Sequence, residues 1–202
     1  MNIKRINTYH DNRFSQKVLN QHGCFLVEEE PYEVEIISSY EAVVHGKDKA
    51  IYPAVIEEFL FFTPHITKFY DEKRAIVKEY PKVEVLKLAL GEIQPSQFYV
   101  DKDKVEAVAT FIGKGEDIII QVSKQGNRYI SLDGHTRLYY AVLKGFECVK
   151  AVLAETDDCI YDFVEEAKRR NITSPQDLKL LSHEEYVEKW HKYCDEYFNS
   201  KN

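Results

Sequence analysis

The stretch Tyr129-Ile130-Ser131-Leu132-Asp133-Gly134-His135-Thr136-Arg137-Leu138-Tyr139-Tyr140-Ala141-Val142-Leu143-Lys144-Gly145 decides how this chain is read. Tyr129 to Leu132 is short, apolar and rich in strand-favouring residues, which predicts a buried strand. Asp133-Gly134 is a turn pair, with Gly134 free to take positive φ. Leu138 and Val142, with Tyr139 beside them, recur at helical spacing. Gly145 after Lys144 is a helix stop. The pattern is strand, tight turn, helix.

Chemistry can sit at that turn. The first N–H groups of a helix lack intrahelical partners, and the helix dipole is positive there. An anion at that end gains both. His135, Thr136 and Arg137 fall in the first turn, and each can donate to a phosphate. Asp133 adds a carboxylate suited to a base or to a metal. The same residues also fit plain structure, with Asp133 as a cap and Arg137 as a surface charge.

Working outward, Gln125-Gly126-Asn127-Arg128 predicts a hairpin turn between Val122 and Tyr129. Ile118 to Val122 reads as a strand. Residues 101–112 read as a helix with Val105, Val108, Ala109 and Ile112 on one side. Leu86 to Leu88 reads as a strand leading to Ile93-Gln94-Pro95-Ser96-Gln97, and Cys148 to Leu153 as a strand after the helix. Neither a Walker-type nor a Rossmann-type glycine motif is present.

The run Leu132-Asp133-Gly134-His135-Thr136-Arg137 and this ordered series resemble the ParB/sulfiredoxin superfamily over roughly residues 84–155. The fold class implied is α+β. A small α+β unit occupies 1–82, a ParB/sulfiredoxin-like domain 83–155, and helices packing on it 156–202. Sulfiredoxins carry a cysteine where this chain has His135, so their chemistry is not expected. Partition-type ParB proteins carry a G-x-R-R turn and a DNA-binding helical domain. Here the turn ends in Thr136-Arg137, and the C-terminal helices show no basic recognition face.

The D-G-H-x-R pattern is similar to the branch that includes the free-serine kinases. That resemblance implies a nucleotide-phosphate-binding protein and a phosphotransferase acting on a small hydroxyl-bearing substrate, with ATP or ADP and Mg2+. It gives catalytic roles to Asp133 and His135. Asp133 would orient or deprotonate the acceptor, or hold Mg2+; no other metal ligand is assigned. His135 and Arg137 would stabilise charge on the transferred group. Gly134, His135, Thr136 and Arg137, with Ser96 and Gln97, would hold the phosphates. The kinases also use a glutamate near the opening strand-turn. This chain has Gln97 there, which cannot act as a base, with Glu92 nearby. The alternatives are a non-catalytic nucleotide-sensing module, or a ParB-like nucleic-acid-binding or nuclease protein.

Composition narrows these classes. The chain has 202 residues, 44% hydrophobic and 30% charged, with a formal net charge of −7. A pI near 5.6 argues against a non-specific grip on nucleic acid. The nuclease reading is weakened further because no carboxylate cluster is visible in the sequence. No apolar run is long enough to span a bilayer, and no signal-peptide core follows Met1, so a cytoplasmic location is the expectation. Cys24, Cys148, Cys159 and Cys194 are scattered, which indicates neither a zinc site nor a disulfide frame. The expected partners are a nucleotide and a small molecule. No protein partner is indicated.

The remaining chain is read by periodicity. Strands are expected at Cys24 to Val27, Tyr32 to Ile36, Glu41 to Val44 and Ala75 to Tyr80. Glu28-Glu29-Glu30 is read as a solvated hairpin turn. A helix is expected from Pro53, with Phe59, Phe61 and Phe62 assigned to the core. His10, Asp11, Arg13, His22 and His45 are polar residues with no spacing rule to join them. A helix after Asp158 carries the stripe Ile160, Phe163, Val164 and Ala167 and closes on Lys168-Arg169-Arg170, read as a solvated end. Ser182-His183-Glu184-Glu185 is a capping box before a last helix anchored by Tyr186 and Trp190.

Overall fold

Two five-to-six-stranded sheets, each with its own buried apolar cluster, divide the chain after Glu84. The computed structural model describes residues 1–201. Its class is mixed α+β, with helices at the C-terminal end.

In the first unit, β1 (Ile3–Arg5), β2 (Cys24–Val27), β3 (Glu30–Ile36), β4 (Glu41–Gly46), β5 (Lys68–Tyr70) and β6 (Ile76–Glu79) form one sheet in sequence order. Helix α1 (Gln16–Asn20) precedes β2, and α2 (Tyr52–Phe62) makes the crossover between the parallel pair β4 and β5. Val27 pairs with Glu30, so Glu28 and Glu29 form a two-residue turn. Both take positive φ, 47° and 70°, the hand that suits a tight hairpin. The acidic run is therefore a turn, as its composition predicts.

Helix α2 buries Tyr52, Val55, Ile56 and Phe59. Phe61 was expected in the core but is 77% exposed. Phe59 and Phe61 are two residues apart, which puts them on opposing sides of a helix. Phe62 is half-buried beneath the Arg5 guanidinium at 3.7 Å.

The second unit begins with β7 (Leu86–Ala89) and β8 (Ile93–Pro95), followed by β9 (Tyr99–Asp101) and α3 (Lys102–Val108). Next come β10 (Ile119–Gln125), β11 (Arg128–Ser131), α4 (His135–Leu143), β12 (Cys148–Leu153) and α5 (Cys159–Arg169). Then follow β13 (Lys179–Leu181), α6 (His183–Tyr186) and α7 (Lys192–Lys201), the last two joined by a π-helical turn at Val187–His191. The main sheet has the order β7-β12-β10-β11-β8. Strands β10 and β11 form the expected hairpin, with Gln125 opposite Arg128.

Helix α3 is shorter than the 101–112 expected. Asp101 starts it by accepting the Asp103 N–H. It stops at Val108, short of Gly113, and Ala109 is exposed, while Ala107 takes the buried place.

Strands β9 and β13 pair in parallel as a separate two-stranded sheet. Periodicity gave no sign of β13, which has three residues and buries little. Beyond it, Ser182 caps α6 as its capping box predicts, accepting the Glu185 N–H at 3.3 Å. Trp190 packs edge-on against Phe98, with ring centroids 4.9 Å apart. Arg170 differs from the expected solvated end. Its guanidinium lies 4.3 Å over Phe98 and pairs with Glu166 at 2.8 Å, so its apolar stem and planar head both serve packing. Among the described residues, no helix is long and apolar enough to cross a membrane.

Candidate functional site

Strand β11 delivers the turn. Leu132 N–H donates to Gln121 O at 2.9 Å, which holds the chain against β10 one residue past the end of β11. Gly134 then takes φ +84° and becomes the N-cap of α4. Its position is tight as well as left-handed. A Cβ there would lie 2.5 Å from the Ile120 methyl carbon and about as near as 3.1 Å to the Arg137 guanidinium. Glycine is required on both counts. The cap is Gly134, where the plain structural reading placed Asp133.

Arg137 does not point to bulk water. One guanidinium nitrogen donates to Ile119 O at 2.6 Å, and another to Asp133 Oδ2 at 2.7 Å. Its side chain is 22% exposed, against 55% for Asp133. The guanidinium is thus pinned between strand β10 and the turn, within the first helical turn of α4. Thr136 is half-buried in the same first turn.

His135 points the other way from the expected role. It is buried, and its Nε2 accepts the Ser96 backbone N–H at 3.2 Å. An Nε2 that accepts an amide proton carries a lone pair, so the ring proton sits on Nδ1. Ser131 Oγ lies 3.0 Å from the same nitrogen, and Ser96 Oγ donates to Ser131 O at 2.7 Å. Burial pushes the imidazole pKa down to about 4; nearby Asp133 opposes the shift and Arg137 adds to it. Near neutrality the ring is uncharged, so His135 lends an anion no positive charge. The part in stabilising transferred charge that the resemblance implies for it would fall to the Nδ1–H and not to a positive charge.

The structure therefore joins Ser96 to the turn through His135, and Asp133, Gly134 and Arg137 to each other. Gln97 belongs elsewhere. Its amide nitrogen bonds to Tyr99 O and donates to the Tyr186 hydroxyl at 3.0 Å, tying the strand to α6. Glu92 accepts the Ala89 N–H at 2.8 Å and closes a local turn.

The polar residues of the first unit do not converge on one point. His10, Asp11 and Arg13 border an open depression, with Arg13 paired to Asp11 at 2.7 Å. His22 bonds to Tyr9 at 2.6 Å, and His45 lies 3.5 Å from Glu35. Cys24 is fully buried, which pushes its thiol pKa up to about 12 and leaves it an inert core residue.

Sequence reasoning missed one constellation. Asp101, Asp103 and His183 bring ligand atoms within 4.8 Å of one another. The capping box at Ser182 was legible, and Asp101 and Asp103 were read only as the start of a helix. Their meeting depends on the β9–β13 pairing, which was not legible.

No family model matches this chain, and no curated protein matches it. Among solved structures, it is similar to the crystal structure of protein Atu1540 from Agrobacterium tumefaciens, at 17% identity and a TM-score of 0.34. The likeness covers 48% of this chain and 61% of that one, so less than two thirds of that protein is spanned. At that score it carries no argument about fold or function.

Proposed function

We propose that the second unit as far as β12 is a ParB/sulfiredoxin-like domain, with the C-terminal helices packed on it, and that it binds a nucleotide phosphate at the N-terminus of α4. The observation that carries this reading is the Gly134-capped helix start with a guanidinium fixed beside it, 22% exposed. The amides of the first turn and the Arg137 guanidinium are donors that prefer an anion. The order β7, β8, β9, α3, β10, β11, turn, α4, β12 supports the family reading, because apart from the short β9 it follows the series the resemblance implies.

In the phosphotransferase form of this reading, Asp133 orients the acceptor hydroxyl or helps to hold Mg2+. It fits such an ion because it is a half-exposed carboxylate at the turn. When bound, Mg2+ would neutralise charge on the nucleotide phosphates. Arg137 holds the phosphoryl oxygens. His135 acts as a positioning residue, locking Ser96 and the first helical turn together as a neutral ring.

A second reading, nucleotide sensing without transfer, has its own support. Gln97 stands where the related kinases use a glutamate, and it is engaged with Tyr186. Calorimetry with ATP, ADP and CTP, with and without Mg2+, tests the part both readings share, and no binding of any of them refutes both. A phosphotransfer assay comparing wild type with Asp133→Asn separates them. Transfer lost in the variant supports the kinase form, and binding without transfer in wild type supports the sensor.

A further inference from the structure

The β9–β13 pairing brings together three metal-ligating side chains from segments about 80 residues apart. Asp101 ends β9, Asp103 lies in the first turn of α3, and His183 opens α6. Their ligand atoms all lie within 4.8 Å of one another. Asp101 is 1% exposed, while His183 is 53% exposed and reachable from solvent.

Two features of this group go beyond proximity. The first is charge. A carboxylate buried as deeply as Asp101 calls for a positive partner. Among the described residues its ion-pair partner is His183, itself a metal-ligating side chain. Asp103 adds a second negative charge at the same point.

The second is geometry. Asp101 Oδ2 and His183 Nδ1 are 2.8 Å apart. Two donors so spaced, each at about 2.1 Å from one ion, subtend about 85° at it, near the right angle of six-coordination. Two donors on one ion lie at most about 4.2 Å apart, so a pair at the 4.8 Å limit has to close by about 0.6 Å or more, a movement open to the exposed Asp103 and His183 side chains. Imidazole nitrogen with carboxylate oxygen is the donor mixture of divalent first-row ions.

We propose that Asp101, Asp103 and His183 form a site for one divalent first-row cation of the Mn2+ or Zn2+ class, separate from the Asp133–Arg137 turn. The ion takes the place of the proton between Asp101 and His183. That proton moves to Nε2 or to water, and water fills the remaining coordination positions. Because the ligands come from both sides of the β9–β13 pair, the ion clamps the start of the C-terminal helices to the strand before α3.

The test is calorimetric titration of the full chain with Mn2+ alone and with Zn2+ alone, beside thermal melting. Wild type is expected to take up one ion per chain and to melt at a higher temperature with it. Asp103→Asn and His183→Ala change exposed side chains, and each is expected to weaken uptake at least tenfold. Circular dichroism confirms that each variant is folded; Asp103→Asn, which leaves the capping N–H in place, serves as the milder of the two. Loss of uptake in Asp133→Asn would instead place the ion at the nucleotide turn, which keeps this result distinguishable from the nucleotide reading. Absence of saturable uptake of either ion overturns the proposal. So does uptake unchanged in both Asp103→Asn and His183→Ala, or uptake lost only in Asp133→Asn.

Discussion

The backbone N–H of Ser96 donates to His135 Nε2 at 3.2 Å across 39 positions of sequence. This one bond ties the end of β8 to the first turn of α4. It also sets the imidazole tautomer and buries the ring in its neutral form.

That burial has a pH signature. His135 has a folded pKa near 4, below its ordinary value of 6.5. Between those values the unfolded chain binds more protons than the folded one. Stability from this group is therefore fully present above pH 6.5 and is lost as pH falls toward 4, by about 3 kcal/mol in all. Chemical denaturation of wild type and His135→Gln from pH 4.5 to 7.5 measures it. The variant should lose this part of the slope; an identical slope would show that His135 is not its source.

Gly134 and Gly145 both take positive φ but differ in surroundings. Gly145 has open space where a Cβ would go, whereas at Gly134 the nearest atom is 2.5 Å away. Gly145→Ala should cost about 1 kcal/mol, the backbone term alone. Gly134→Ala should cost about 2–4 kcal/mol, because overpacking adds to it. Urea midpoints of the two variants, at unchanged m-value, give the comparison. Equal costs would mean the helix start is looser than described.

Arg137 and Asp133 should act in opposite directions on anion binding. Removing the guanidinium in Arg137→Ala loses a charge-assisted donor, worth about 1.5–3 kcal/mol or roughly 10–100-fold in nucleotide affinity. Asp133→Asn removes the carboxylate that neutralises Arg137 at 2.7 Å, so metal-free nucleotide should bind at least as tightly as to wild type. Calorimetry without Mg2+ reads both. Weaker metal-free binding in Asp133→Asn would contradict the assignment of Arg137 as the phosphate ligand.

The Glu28-Glu29 turn predicts a gain. Both residues hold positive φ, which a glycine adopts without the steric cost a glutamate pays. Glu29→Gly should stabilise the first unit by about 1 kcal/mol. Hydrogen exchange of the β2–β3 amides reports it locally, and slower exchange is the expected result. Faster exchange would mean the glutamate side chain contributes more than its backbone costs.

Much of this protein was legible one segment at a time. The β10–β11 hairpin, the Asp133-Gly134 turn, helix α4 and its glycine stop were read from residues that are neighbours in sequence. Turn chemistry, periodicity and capping act over a few residues, so the sequence alone determined them. Phe61 was misjudged because hydrophobicity marks a residue for burial without saying which side of the helix faces the sheet. The inward ring of His135, the pinned guanidinium of Arg137, the diversion of Gln97 to Tyr186 and the meeting of Asp101 with His183 were decided by tertiary structure. Each depends on strands paired across tens of residues. Such pairings are fixed by the burial of whole faces, and no local stretch carries that information.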